Sequence, residues 1–230
     1  ARLISPTLVR VTRENGETID IESERIILAM GSTPFDLPGM TPDNETILNS
    51  NQALELKKIP ERLLIVGGGV IGCEFACIFQ TLGTKVTIVQ GADRLLAAPG
   101  LDADISRLLQ REMKKRKINV ILGATVSGIE KNNGENIARL APSPFVNPEV
   151  AATLPPVPEH VSFDQMLITV GRAANSKDMG LEEAGVALDS RGWVITDEYL
   201  RTSVPNIYAL GDILGPKYVM LAHVAAHEAF

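Results

Sequence analysis

The stretch from 62 to 90, RLLIVGGGVIGCEFACIFQTLGTKVTIVQ, joins an apolar strand, a glycine turn, a helical segment and a second apolar strand. Gly67, Gly69 and Gly72 form a GxGxxG pattern that directly follows the first strand and precedes the helix. In this context the glycines permit a tight turn, let a pyrophosphate approach the backbone, and let the helix pack closely on the strand. The N-terminal N–H groups of the helix then point at the phosphates. The stretch predicts a dinucleotide-binding βαβ unit, with a glycine turn that binds no ligand as the alternative.

The residue that ends the second strand bears on the choice between NAD and NADP. In an NAD site a carboxylate about 20 residues after the turn binds the adenosine ribose, whereas an NADP site carries an Arg for the 2′-phosphate. Gln90 holds this position. Its amide oxygen can accept a hydrogen bond from a ribose hydroxyl, although it lacks the charge that would repel a phosphate. The sequence favours NAD, and Arg94 leaves NADP open.

Composition and charge exclude several classes of protein. The 230 residues carry a net charge of −6, which argues against a nucleic-acid-binding surface. No apolar stretch approaches the ~18 residues of a membrane span, and no basic region followed by an apolar one begins the chain. We therefore expect a cytoplasmic protein with neither a membrane nor a nucleic acid as partner. Because the chain begins with Ala1 and ends on Phe230 within a helical pattern, we expect a piece of a longer protein.

Two cysteines, Cys73 and Cys77, lie four residues apart on the helix after the glycine turn. They share a face of that helix, but side chains on one rigid helix are poorly oriented for a disulfide. The helix dipole is expected to lower the pKa of Cys73, which lies in the first turn. We interpret both as small apolar residues packed against a sheet, with a redox role as the alternative.

Periodicity outlines the rest of the chain. Alternation around Asn15-Gly16 predicts a hairpin over 8–23, and an apolar strand over 25–29 completes a β-meander. Prolines and glycine then break the pattern, so we expect a domain boundary near 40–48. The later predicted elements are a helix over 102–117 with Ile105, Leu108, Leu109 and Met113 as its apolar stripe, a strand over 119–122, a second meander opening at 124–131 and 138–140, a proline-rich surface loop over 141–158, and strands over 161–170 and 207–210.

Five separated blocks carry a resemblance to a known family. They are IILAMGSTPFDLPG at 26–39, GGGVIGCEFA at 67–76, ITVGRAAN at 168–175, LRTSVPNIYALGD at 200–212 and MLAH at 220–223. In this order they resemble the flavoprotein, or pyridine nucleotide, disulfide oxidoreductases, and most closely the dihydrolipoamide dehydrogenase group.

The resemblance implies an α/β architecture with a Rossmann-like FAD/NAD(P)-binding fold, in which a parallel βαβ sheet with a β-meander is inserted into a partial second domain of the same type. Residues 1–48 and 173–230 would form the partial FAD-binding domain, and residues 49–172 the NAD-binding domain. Hydride would pass between NAD(H) and FAD, with a dithiol or disulfide such as lipoamide as the other couple.

The resemblance also implies which residues contact each cofactor. Those implied for NAD are Gly67, Gly68, Gly69, Val70, Ile71, Gly72, Cys73, Glu74, Gln90, Val126 and Gly171. Those implied for FAD are Met30, Gly31, Ser32, Asp212, Met220, Leu221, Ala222 and His223. Asp212 would bind the ribityl chain, and 220–223 would lie against the isoalloxazine, where a helix N-terminus stabilises negative charge.

Departures from the family pattern limit what the chain itself can do. The sequence has no CxxxxC redox pair, no second GxGxxG for FAD and no catalytic His–Glu pair, because His223 and Glu228 are five residues apart and would face different directions on a helix. Met30, Gln90 and Ala174 replace residues usual in the family motifs. We expect a catalytically incomplete piece of a homodimeric enzyme, with no catalytic residue and no metal ligand of its own. The alternatives are an NADH oxidase or ferredoxin-reductase-like flavoprotein, and a non-catalytic nucleotide-binding module.

Overall fold

The computed structural model describes residues 1–97 and 101–230. The chain is α/β and divides into two compact units, one formed by Ala1–Thr33 with Arg172–Phe230 and the other by Pro34–Gly171. The second unit is inserted in the sequence of the first. Its compact region begins earlier than the boundary expected from sequence, since residues 34–48 belong to it.

The secondary structure elements follow in chain order. The strands are β1 Arg2–Ser5, β2 Leu8–Thr12, β3 Thr18–Glu22, β4 Ile26–Leu28, β5 Ser32–Pro34, β6 Ile47–Leu48, β7 Arg62–Val66, β8 Lys85–Gln90, β9 Asn119–Leu122, β10 Ala124–Asn132, β11 Glu135–Pro142, β12 His160–Phe163, β13 Gln165–Ile168, β14 Arg172–Ala174 and β15 Ile207–Ala209. The α-helices are α1 Ser50–Leu54, α2 Val70–Thr81, α3 Ala103–Lys115, α4 Pro148–Ala151 and α5 Ala222–Glu228, and Gly211–Leu214 forms a 3-10 helix.

A five-stranded parallel sheet organises the second unit, in the order β6-β13-β7-β8-β9. The run β7-α2-β8-α3-β9 is the predicted βαβαβ half, and the predicted Rossmann-like fold class is confirmed. In β7, Leu64 and Ile65 have no exposed surface. Parallel strands are covered on both faces, which is why β7 is apolar without alternation.

The two faces of this sheet are covered by different layers. Phe75 and Phe79 of α2 and Met113 of α3 belong to one buried cluster with strand residues such as Ile65. The antiparallel sheet β10-β11-β12 packs on the other face, where Phe163 belongs to a second cluster. The predicted second meander is confirmed.

The strand predicted over 161–170 is wrong in one respect, because the structure divides it into β12 and β13. Asp164 separates the two strands, and its carboxylate accepts hydrogen bonds from the amide and the side chain of Arg62. β12 pairs with β11 in the antiparallel sheet, whereas β13 enters the parallel sheet beside β7. Asp164 therefore marks the point at which the apolar stretch passes from the antiparallel sheet to the parallel sheet.

The predicted apolar stripe of α3 is partly wrong. Ile105 and Leu108 are 53% and 50% exposed, whereas Ser106 and Met113 are each 1% exposed. The Ser106 hydroxyl donates a hydrogen bond to the carbonyl of Leu95, which satisfies this buried polar group. Residues seven apart share a helix face, so Ser106 and Met113 define the side that packs on the sheet.

The predicted loop over 141–158 also contains α4, which the proline content concealed. Pro148 occupies the first turn of this helix, where its missing N–H costs nothing. The Asn147 side chain caps the helix by accepting a hydrogen bond of 2.9 Å from the Glu149 amide.

The first unit holds the predicted hairpin, with β1 added to it. The order β1-β2-β3 is antiparallel, but β4 does not continue this meander as predicted. It pairs in parallel with β15 instead, because Ile26 and Leu28 are buried in a cluster with Ile207 and Ala209. β5 and β14 form a separate two-stranded pair. Across both units, the described helices include none that is long and apolar enough to cross a membrane.

Candidate functional site

The turn between β7 and α2 requires glycine at two of its positions because of packing. Gly67 has a φ of +107°, and a Cβ there would lie 2.4 Å from the carbonyl oxygen of Thr169. A Cβ on Gly72 would lie 2.0 Å from the carbonyl oxygen of Gly67. The tight turn and the close approach of α2 to the strands therefore exclude larger residues at these positions.

Gly69 lies in the same turn, but packing does not explain it. Its φ of −76° and ψ of −172° are extended backbone that any residue adopts, and a Cβ there would meet no atom of residues 1–97 or 101–230 within 4 Å. The residue is exposed and is the N-cap of α2. Glycine is a favoured N-cap residue, and here its missing side chain keeps open space beside the start of the helix.

The N-terminus of α2 is suited to an anion. No side chain of the described residues caps it, and its first turn holds no acidic residue. The amide of Cys73 donates to the carbonyl of Gly69 at 3.0 Å, so the preceding N–H groups of the helix have no partner one turn back. Glu74 is exposed and lies beyond this first turn, where it interferes little with the positive end of the dipole.

Gln90 at the end of β8 holds the glycine turn. Its Oε1 accepts a hydrogen bond of 2.8 Å from the Gly68 amide, and its Nε2 donates to the carbonyl of Arg94 at 3.2 Å. An amide oxygen accepts two hydrogen bonds, so one lone pair remains for a ribose hydroxyl. The ribose role stays a prediction, and the structure adds a positioning role that sequence reasoning missed.

Thr169 is a second supporting residue that sequence reasoning did not identify. Its hydroxyl donates a hydrogen bond of 2.8 Å to the carbonyl of Gly67, and its amide donates to the carbonyl of Val66. It follows β13 directly, and a hydroxyl next to a buried apolar strand was the available signal. Two further residues were implied for NAD. Gly171 is exposed, and a Cβ on it would meet no described atom within 4 Å, while Val126 is partly buried against the cluster behind the sheet.

The cysteines of α2 are both free thiols. Burial, with smaller contributions from Cys77 and Glu74, raises the pKa of Cys73 to about 12. The expectation that the helix dipole lowers this pKa is wrong, because loss of solvation outweighs the dipole. The Cys73 thiol lies 3.5 Å from the carbonyl of Gly68, to which it donates a weak hydrogen bond. These features agree with the structural interpretation of the pair.

In the first unit, two residues implied for FAD lie in contact. The Ser32 hydroxyl donates to Oδ2 of Asp212 at 2.7 Å, and the Arg172 Nε lies 3.5 Å from the same oxygen. Arg172 also donates to the Ser32 carbonyl at 2.7 Å. Both contacts to the carboxylate use Oδ2. The arrangement orients Asp212 and pairs its carboxylate with Arg172 in a salt bridge.

The remaining residues implied for FAD lie at two places in this unit. The carbonyl of Met30 accepts a hydrogen bond of 2.9 Å from the Asn175 side chain, and Gly31 follows with a φ of +69°. Met220 is partly buried, and Leu221, Ala222 and His223 are exposed where α5 begins. The Glu228 carboxylate accepts a hydrogen bond of 2.7 Å from the Gly211 amide. This hydrogen bond holds Glu228 beside Asp212, and His223 takes no part in it.

Comparisons with known proteins agree with this geometry. A family model described as pyridine nucleotide-disulphide oxidoreductase matches residues 4–229. Dihydrolipoyl dehydrogenase of Chlamydia pneumoniae is 40% identical over 226 residues, which cover 98% of this chain and 44% of the relative. The mitochondrial dihydrolipoyl dehydrogenase of Homo sapiens is 36% identical over 221 residues, which cover 96% of this chain and 41% of the relative.

Solved structures give the same result. The HOCl-induced flavoprotein disulfide reductase RclA from Escherichia coli is similar with a TM-score of 0.80 and 27% identity, over 99% of this chain and 47% of that chain. LpdA from Mycobacterium tuberculosis is similar with a TM-score of 0.81 and 28% identity, over 98% of this chain and 46% of that chain. This chain spans less than half the length of these relatives. The matched length and the glycine turn together show that the chain belongs to the pyridine nucleotide-disulphide oxidoreductase family.

Proposed function

We propose that this chain is the NAD(H)-binding part of a cytoplasmic, flavin-dependent oxidoreductase similar to dihydrolipoamide dehydrogenase. The parent enzyme passes hydride between NAD(H) and FAD, with a dithiol or disulfide such as lipoamide as the other substrate, and acts as a homodimer. The chain alone binds the nicotinamide cofactor without turnover.

The observation that carries the proposal is the open space at Gly69. Gly67 and Gly72 serve the packing of the turn, but Gly69 leaves room that no described residue of the chain fills. That room lies beside the uncapped N-terminus of α2, whose N–H groups and dipole favour a pyrophosphate. The residues present therefore fit a dinucleotide.

The residues of the chain divide the work of binding. The first amides of α2 donate to the pyrophosphate, while Gln90 and Thr169 hold the turn that presents them. When bound, the nicotinamide supplies the hydride. In the other unit, Ser32 and Arg172 orient the Asp212 carboxylate to accept a hydrogen bond from the ribityl chain of FAD.

The redox couple with the dithiol is not supplied by the cysteines of this chain. Cys73 is buried and its raised pKa keeps it in the unreactive thiol form. Cys77 lies one turn away on the same helix, where the geometry opposes a disulfide.

Calorimetric titration of NADH into the chain and a Gly69→Ala variant tests the proposal. The new methyl group displaces the pyrophosphate from the helix amides, and loss of one hydrogen bond to a charged group weakens binding about 10- to 150-fold. Because a Cβ at this position meets no atom of the described residues, the thermal unfolding midpoint should fall only slightly, by the cost of alanine in place of glycine at an N-cap.

Ile78→Ala is the matched control, since Ile78 lies on α2 with half of its surface exposed, away from the glycine turn. This variant should bind NADH as the unmodified chain does. Absence of NADH binding by the unmodified chain, or equal affinity of the Gly69→Ala variant, would contradict the proposal.

A further inference from the structure

Three loops at the carboxyl edge of the parallel sheet are joined by backbone hydrogen bonds. The Gly123 amide, after β9, donates to the carbonyl of Ala92, after β8, at 2.9 Å. The Ser143 amide, after β11, donates to the carbonyl of Gly123 at 2.8 Å. Ser143 is only 8% exposed, so the start of the proline-rich segment 141–158 is held against the edge of the sheet.

This anchor positions Phe145. Its amide donates to the Ser143 hydroxyl at 3.2 Å, and Pro144 between them restricts the backbone. The Cδ2 atom of Phe145 lies 3.4 Å from where a Cβ of Gly91 would be. The ring is therefore held beside the residue that directly follows Gln90.

Phe145 nevertheless remains 80% exposed. Other apolar side chains of the segment pack inward, since Leu154 and Val146 lie 2.7 Å and 3.8 Å from the Cβ position of Gly123. The segment thus partly buries Val146 and Leu154 and leaves the aromatic ring of Phe145 in solvent. A ring of this kind on an anchored backbone loses little conformational entropy when it binds a flat ligand.

The location indicates which ligand. Dinucleotides bind outside the carboxyl ends of the strands, and the adenosine ribose lies at the end of the second strand of the βαβ unit, which is β8 here. The ring of Phe145 lies one residue beyond that point. Adenine presents a π-face, and base–aromatic stacking is a favourable contact that needs no hydrogen-bonding partner.

We propose that Phe145 stacks on the adenine of NAD(H), so that the segment 141–158 forms one wall of the adenosine subsite. This inference rests on the proposed binding of NAD(H) at the glycine turn. It assigns the segment a binding role that the family motifs of this sequence do not include.

The test uses calorimetric titration of the chain with NADH and with ADP-ribose, which retains the adenosine half and lacks nicotinamide. Phe145→Ala should weaken the binding of both ligands by the same factor, about tenfold or more, as expected for loss of one stacked base. Phe145→Tyr keeps the ring and should bind both within about twofold of the unmodified chain. Tyr199→Ala removes an aromatic side chain of the other unit that is 65% exposed, and should change neither affinity.

Each alternative outcome overturns a defined part of the reasoning. If the unmodified chain binds NADH and Phe145→Ala binds it equally well, stacking is refuted while the proposed function stands. Weaker binding of NADH alone would place the ring at the nicotinamide end and would also refute it. If the unmodified chain does not bind NADH, both proposals fail. If Phe145→Ala unfolds, Phe145→Leu is compared with Phe145→Tyr instead. Stacking requires the Phe145→Leu variant to bind both ligands more weakly than the Phe145→Tyr variant.

Discussion

Replacement of Gly72 by alanine tests the close packing of α2 on the strands. A Cβ there would lie 2.0 Å from the Gly67 carbonyl oxygen and 2.7 Å from the Thr169 hydroxyl, whereas real Cβ contacts essentially never fall below 3.0 Å. Reaching even that limit requires a shift of 1.0 Å, the difference between 3.0 and 2.0 Å, against backbone. The turn has to open for the variant to fold.

The expected destabilisation follows from three contributions. Overpacking costs about 1–3 kcal/mol, and disruption of the hydrogen bond from Thr169 to Gly67 adds about 1 kcal/mol. Alanine gains at most about 1 kcal/mol over glycine in helix propensity. The free energy of unfolding of the inserted unit should therefore fall by about 1–3 kcal/mol, with a lower urea midpoint and an unchanged slope.

Two spectroscopic signals separate the units in this experiment. The longest helices, α2 and α3, belong to the inserted unit, so far-UV circular dichroism mainly follows its unfolding. The single tryptophan, Trp193, is buried in the other unit, and its fluorescence follows that unit. Gly69→Ala is the matched control, because its Cβ meets no atom of the described residues and alanine at this N-cap should lower the stability by less than about 1 kcal/mol. Equal urea midpoints for the Gly72 and Gly69 variants would refute the packing argument.

Two further predictions concern the ionisable groups of the inserted unit. Thiol titration after denaturation without reductant should find two free thiols. In the native chain Cys77 should react before Cys73, because burial raises the pKa of Cys73 to about 12. A Cys73–Cys77 disulfide would contradict the structural interpretation. Burial alone would raise the pKa of Asp164, but hydrogen bonds from Arg62 outweigh this effect and hold the pKa below its ordinary value. The contact therefore stabilises the fold above about pH 4, and this stabilisation is lost as the pH falls further. Asp164→Asn should therefore lower the free energy of unfolding by about 1 kcal/mol at neutral pH, because solvent screens side chains that are 36% exposed. In strong acid it should lower it by almost nothing, and urea unfolding at each pH measures both values. An equal loss at both pH values would exclude the ion pair as its source.

The parts of the fold that were predicted correctly from sequence are those in which a regular pattern extends over many consecutive residues. The strand β7 is apolar from Leu63 to Val66 because both faces of the sheet are covered, and the glycines mark the turn between β7 and α2. What sequence could not predict depends on partners distant in the chain. The strand β4 was assigned to the nearest hairpin, but its partner β15 lies about 180 residues later, and no local pattern encodes that pairing.

The candidate site shows the same division between pattern and tertiary contact. The glycine turn was found from sequence because three glycines fall at the motif spacing within six residues, directly after an apolar strand. Gln90 was identified only as a substitute for a ribose-binding carboxylate. Its hydrogen bond to Gly68 depends on how β8 lies beside β7, which becomes visible only when the sheet is assembled.

The three glycines of the turn have different structural explanations. Spacing alone treats Gly67, Gly69 and Gly72 alike, and a fold could require all three without any ligand. In the structure, a side chain at the first or the third would collide with the backbone of the turn and of Thr169, whereas one at Gly69 would meet only open space. Stability therefore accounts for two of the glycines. We propose that a pyrophosphate at the helix N-terminus accounts for the third, so Gly69→Ala should separate binding from folding more sharply than a change at Gly67 or Gly72.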